Sequence, residues 1–146
     1  MAEKKATAIW KGTLTEGSGV VSSESGILTD TPMTWKVRTG GSEKGKTSPE
    51  ELIAAAHATC YSMALSFELQ NAGFTAETLE VTSIVTFGPK PGGGMKVESS
   101  ALTLVGTVPS ISAEQFDQFA QAAKTGCPVS GALAGNVEIT LNASLK

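Results

Sequence analysis

Two cysteines, one histidine and one arginine are all that 146 residues hold of those types, and aromatic residues make up only 5% of the chain. Each scarcity excludes something. Two thiols and one imidazole supply at most three of the four ligands of a tetrahedral zinc site, so no metal centre is expected. With a net charge of −3 and scattered lysines, the chain offers no clustered basic face for nucleic acid. The opening residues MAEKKATAIW contain no apolar run of the length a secretion signal needs. No run approaches the roughly 20 apolar residues of a membrane span. These absences predict a cytoplasmic protein with no membrane role. In a reducing cytosol a static disulfide is not expected, which leaves Cys60 and Cys127 as inert core thiols or as a working redox pair. The loop GGSEKGKT (40–47) lacks the spacing of a phosphate-binding loop, so nucleotide binding is not expected either.

What is present suffices for a core. Hydrophobic residues make up 40% of the chain, and no repeat, low-complexity segment or linker interrupts it, which predicts one domain over 1–146. Alternation predicts strands from Ala6 to Leu14, over Val20–Ser23 and from Met33 to Thr39. Ser48-Pro49-Glu50-Glu51 then reads as a helix start, with Ser48 at the N-cap, Pro49 at the first helical position and Glu51 closing a capping box. The predicted helix runs on to Gly73. Leu79–Phe87 and Met95–Val108 read as a hairpin about GPKPGGG, with a slip in alternation near Ser99–Ala101. Ser112 caps a second helix that ends at Gly126, Cys127-Pro128 opens a short one, and Val137–Leu145 alternates as a last strand. The order of elements gives an α+β fold with antiparallel sheet and a long buried central helix.

That central helix is unusual. Ile53–Met63 reads IAAAHATCYSM, carries no charge on any face and includes four alanines, so it is expected to be enclosed nearly all round. Cys60 lies mid-helix on a stripe with Leu52, Ala56, Met63 and Phe67, a setting that suits a small core hydrophobe as well as a nucleophile. Cys127 sits differently, at a helix start whose free N–H groups favour a thiolate. Arg38 is the sole arginine, and a guanidinium can hold a buried carboxylate and favour a nearby thiolate. Trp35, Met63 and Phe67 could line an apolar pocket or simply pack.

The segments VSSESGIL, TSPEELIAAAHATCYSMALS, NAGFT, FDQFAQAAKTGCPVSGAL and EITLNASL resemble the OsmC/Ohr family of hydroperoxide reductases from end to end. PEELIAAAHATC and GCPVS hold the two cysteines at the family's positions, and His57 places the chain nearer the OsmC branch. The resemblance implies an intertwined homodimer with active sites at the subunit interface. It implies reduction of hydroperoxides, with organic ones often preferred. By position, Cys60 resembles the attacking cysteine, Cys127 the resolving cysteine, and Arg38 with Glu50 the activating pair. Disulfide formation would protect Cys60 from over-oxidation, and an external dithiol, of which lipoyl groups are the family's common form, would reduce the bridge. No cofactor is implied. Glu50 precedes Cys60 by ten residues on one helix, which sets their Cα atoms ~15 Å apart along its axis. Arg38 and Glu50 are therefore expected to serve the Cys60 of the other subunit.

Two other functions use the same residues. A thiol-based sensor or binding protein would keep both cysteines without efficient turnover. A Cys–His hydrolase would pair Cys60 with His57, three residues earlier on the helix, and would not need Cys127.

Overall fold

In the computed structural model, which describes residues 1–146, the chain opens with a meander in which β1 (Ala6–Lys11) pairs antiparallel with β2 (Ser18–Ser23), and β2 with β3 (Thr31–Met33). The strand expected from Met33 to Thr39 is corrected here. β3 stops at Met33 and helix α1 (Trp35–Gly40) follows it. Thr34 is the cause: its hydroxyl accepts the Val37 N–H at 3.2 Å, an N-cap that turns the chain into a helix.

Helix α2 (Pro49–Asn71) begins where Ser48 predicts, with the Ser48 hydroxyl accepting the Glu51 N–H at 3.2 Å. Only half of the expected capping box forms, because the Glu51 carboxylate takes the Thr47 hydroxyl at 2.8 Å. At the other end, the Phe74 N–H reaches the Leu69 carbonyl and the Gly73 N–H reaches that of Gln70. That closure needs a left-handed residue, and Gly73 supplies it at φ +82°.

Two compact units result, Met1–Leu52 and Ile53–Lys146. In the second, β4 (Thr78–Pro89) and β5 (Met95–Thr107) form the expected antiparallel hairpin. Pairing passes from Thr86–Ser99 to Phe87–Val97, leaving Glu98 as a bulge close to the predicted slip. Helix α3 (Ala113–Gly126) carries a complete capping box between Ser112 and Gln115, and α4 (Pro128–Leu133) follows Cys127 directly. Pairing is antiparallel throughout the three-stranded sheet β1–β2–β3 and between β4 and β5 of the second sheet, but β6 (Glu138–Leu145) joins β5 in parallel. The crossover through α3 and α4 makes that direction possible.

The core of this unit gathers Tyr61, Leu65 and Leu69 of α2, Leu102 and Leu104 of β5, and Phe116, Ala120 and Ala123 of α3. Gly106 is required there, since a Cβ at that position would collide with the Phe116 ring. Helix α2 buries His57, Tyr61, Leu65 and Leu69, one residue per turn, and exposes Ala55, Ala56, Thr59, Met63 and Phe67 on its other side. Within one chain the helix is thus enclosed on one side only. By length and apolar composition α2 also suffices for a membrane span, contrary to the expectation that no run does. Its buried side nonetheless packs as a core helix does, with polar groups hydrogen-bonded to strands and helices of the same unit.

Candidate active site

The short helix α1 presents Arg38 from its last turn, and the first turn of α2 presents Glu50. Arg38 Nε lies 3.2 Å from both carboxylate oxygens of Glu50, and Nη2 lies 2.8 Å from Oε1. The Glu50 side chain is 8% exposed and that of Arg38 32%. A carboxylate so buried is held by this fork–fork pairing, which also fixes the plane of the guanidinium. The Trp35 ring, one turn earlier, lies 5.9 Å from the guanidinium carbon. Beside the pair is a cavity of about 270 Å³ lined mainly by apolar groups, among them Trp10, Leu14, Met33, Trp35 and Pro49, with Arg38 as its charged member. Glu51 points elsewhere, to Thr47.

The second unit assembles the cysteines. Cys127 is 1% exposed and caps α4, its sulfur accepting the Ser130 N–H at 3.5 Å. Cys60 is half-buried on α2, and the two free thiols lie close enough to act on each other's ionisation. Burial pushes the Cys60 thiol above its ordinary value, the Val129 N–H offsets part of that, and the neighbouring Cys127 adds to the rise. Burial acts in the same direction on Cys127. There it is outweighed by the Ser130 N–H, the Cys60 thiol, the Ser130 hydroxyl and the Val129 N–H, which together bring Cys127 below its ordinary value. Within this unit Cys127 is therefore the readier of the two thiols to ionise, and Cys60 the more reluctant.

His57 is fully buried and does not pair with Cys60. Its Nδ1 lies 2.7 Å from the Ser100 hydroxyl and its Nε2 lies 2.9 Å from that of Ser130. Both ring nitrogens are thus taken, which removes the Cys–His nucleophile pair considered from sequence. The Ser100 hydroxyl in turn lies 3.0 Å from that of Ser83. Ser83, Ser100 and Ser130 escaped the reading of the sequence. The available signal was Ser100, a polar residue on the inward-facing run with Leu102 and Leu104.

The four expected site residues therefore form two pairs, Arg38 with Glu50 and Cys60 with Cys127, each assembled inside its own unit. Comparison with known proteins gives the context. A family model described as OsmC-like protein matches residues 40–142. Peroxiredoxin OsmC of Escherichia coli K12 is 47% identical over 143 residues, covering 98% of this chain and 96% of that protein. Organic hydroperoxide resistance protein OhrA of Bacillus subtilis is 29% identical over 122 residues, 84% of each chain. A crystal structure of an organic hydroperoxide resistance protein from Elizabethkingia anophelis, with crystallant-derived thiocyanate bound, superposes with a TM-score of 0.79 at 27% identity. It covers 100% of this chain and 98% of its own.

Proposed function

This chain belongs to the OsmC-like family, and from that premise we propose that it is a cytoplasmic thiol peroxidase that reduces organic hydroperoxides, and hydrogen peroxide, through Cys60. The observation that carries the mechanism is the juxtaposition of Cys60 and Cys127, two free thiols that act on each other's ionisation. Two neighbouring thiols are placed to become a disulfide, and their environments differ enough to give them different tasks.

In the first step the Cys60 thiolate attacks the terminal peroxide oxygen. The O–O bond breaks, the leaving alkoxide takes up a proton, and Cys60 carries a sulfenic acid. Cys127 then attacks the Cys60 sulfur, forming the S–S bond while hydroxide leaves and is protonated to water. A dithiol, of which a lipoyl-bearing protein is the proposed form, exchanges with the disulfide and returns both thiols.

Cys60 needs help to ionise, because its own unit pushes it the wrong way. The proposed help is the Arg38 guanidinium of the second subunit in a homodimer, oriented by Glu50. The exposed apolar side of α2, with Met63 at 68% and Phe67 at 60%, suits burial against that second copy. The apolar cavity beside Arg38 suits the organic part of a hydroperoxide. Residues 1–146 act as one functional domain in this reading, since the family match runs through the division between the two units.

The test is a substrate comparison. Cumene hydroperoxide, a lipid hydroperoxide and hydrogen peroxide are offered with dihydrolipoamide as reductant. Sustained turnover, fastest with the organic peroxides, is expected. Stoichiometric oxidation of the protein without turnover would leave a thiol-based sensor instead.

A further inference from the structure

His57 is a fully buried titratable group that the proposed reaction leaves without a task, and a line of hydroxyls leads through it to Ser130, beside the sulfur of Cys127. The path starts at Ser83 on β4, 3.0 Å from Ser100 on β5, and continues 2.7 Å to His57 Nδ1. From Nε2 it runs 2.9 Å to the hydroxyl of Ser130, the residue whose N–H donates to the Cys127 sulfur at 3.5 Å and whose hydroxyl helps to lower that thiol. Four elements distant in sequence supply one continuous line.

The direction of that line is fixed by counting protons. A hydroxyl has one proton and a neutral imidazole has one N–H. His57 is neutral, because burial lowers its pKa from the ordinary value. When Cys127 is a thiolate it only accepts, so the Ser130 hydroxyl donates to it and must itself accept from His57 Nε2–H. Nδ1 is then bare and accepts from Ser100, whose oxygen accepts from Ser83. Every group is satisfied in one sense only, and each bond in such a chain polarises the next. Reversing the line would turn the Ser130 proton toward His57 and away from the sulfur.

We propose that His57, acting through Ser130, is a positioning residue for the resolving thiol, holding the Ser130 hydroxyl as a donor to Cys127 and thereby speeding closure of the Cys60–Cys127 disulfide. The step it serves is the attack of the Cys127 thiolate on Cys60 sulfenic acid, with loss of hydroxide that is protonated to water. The other titratable group that acts on the Cys127 sulfur is Cys60 of α2, while Cys127 and Asp117 of α3 both raise the neighbouring Tyr61. The inference rests on Cys127 being the resolving residue, and its test is arranged to separate the two.

The first measurement does not involve peroxide. In a Cys60→Ser background, the ultraviolet absorbance of the Cys127 thiolate is followed against pH for Ser130→Ala, Ser130→Thr, His57→Leu and the otherwise unchanged protein. Loss of one donor to a charged sulfur is expected to move the titration midpoint upward by about one pH unit in Ser130→Ala and His57→Leu. Ser130→Thr keeps the hydroxyl and is expected to keep the midpoint. The second measurement is single-turnover disulfide closure with both cysteines present. A tenfold smaller thiolate fraction, partly offset by the greater nucleophilicity of a more basic thiolate, is expected to slow closure roughly fourfold relative to sulfenic acid formation. Midpoints that do not move in folded Ser130→Ala overturn the proposal. So does slow closure at an unmoved midpoint, which marks a merely structural role. Failure of the resolving assignment would show separately, as repeated turnover by Cys127→Ser.

Discussion

Arg38 and Glu50 meet in a fork with Nη2–Oε1 at 2.8 Å and Nε midway between the two carboxylate oxygens at 3.2 Å, while the adjacent Glu51 turns away to the Thr47 hydroxyl. Two neighbouring glutamates at one helix start thus have separable tasks. One orients a cation beside an apolar cavity; the other ties the helix start to the residue before its cap.

Glu50→Gln is expected to lower peroxidase activity by between roughly tenfold and a hundredfold, the usual consequence of loosening a positioning group, with little loss of stability. Glu51→Gln is expected to keep nearly full activity, because an amide oxygen still accepts from Thr47. Its cost is the lost negative charge at a helix N-terminus, about 0.5 kcal/mol. Steady-state kinetics and urea midpoints on both variants decide the assignment, and exchanged phenotypes would reverse it.

Cys60→Ser is expected to abolish peroxide reduction. Cys127→Ser is expected to fold normally, since serine is a good N-cap for α4, and to complete one rapid turnover before stalling. Intact-protein mass spectrometry after that turnover should find Cys60 as sulfenic and then sulfinic acid. Equal multiple turnover by the variant and the parent would falsify the resolving role.

Local signals in the sequence carried much of the fold. Ser48-Pro49 and Gly73 bound α2, Ser112 and Gly126 bound α3, and the alternation of β4, β5 and β6 is visible residue by residue. The failures have physical causes. Met33–Thr39 is too short for alternation to outweigh the Thr34 cap, so the segment alternates like a strand and folds as a helical turn. The parallel direction of β6 depends on how the α3–α4 crossover packs, which no local pattern encodes. His57 was visible, but its partners lie 43 and 73 residues away in sequence, so the line through Ser100 and Ser130 was not. Ser100 shows in the sequence only as part of a slip in alternation; in the fold it is a buried polar residue whose hydroxyl lies 2.7 Å from His57 Nδ1. Both site pairs were named from the sequence through the family resemblance, whereas the unequal ionisation of the two cysteines required their surroundings.

Acid should weaken the fold through His57. Burial lowers its folded-state pKa from the ordinary 6.5, so the unfolded chain takes up this proton first as pH falls. The stability that the neutral, buried ring represents is fully present above about pH 6.5 and is lost as pH falls from there through the folded-state value. The loss cannot exceed about 1.4 kcal/mol per pH unit from this one group. Urea unfolding of the parent between pH 7.5 and about pH 5 should show this decline, ahead of the carboxylate range. His57→Gln, which has no proton to gain, should be flatter over the same interval. Parallel curves for the two proteins would remove His57 as the cause.

The last prediction concerns which subunit supplies the activating arginine. Cys60 lies ten residues beyond Glu50 on α2, an unbroken helix from Pro49 to Asn71, so their Cα atoms stand ~15 Å apart along its axis and roughly 80° apart around it. A glutamate side chain does not bridge that distance, and Arg38 is already committed to Glu50. Within its own unit the Cys60 thiol is pushed up by burial, so the proposed mechanism draws the cation that lowers it from elsewhere. A two-fold dimer offers a source, since an isologous interface can set the start of one α2 beside the middle of the other. The exposed Ala55, Ala56 and Thr59 would allow two helices to approach closely on that side. Complementation tests the arrangement. Cys60→Ser and Arg38→Ala proteins, each expected to be inactive or nearly so, are mixed and allowed to exchange subunits. If sites form across the interface, the intact Cys60 of the Arg38→Ala subunit meets the intact Arg38 of its partner, giving one good site per mixed dimer. With equal amounts and random exchange, half the dimers are mixed and half of their sites work, so about a quarter of parental activity should return. If native mass spectrometry finds mixed dimers in that proportion and the mixture remains inactive, the arginine acts within its own chain and the cross-subunit site is wrong.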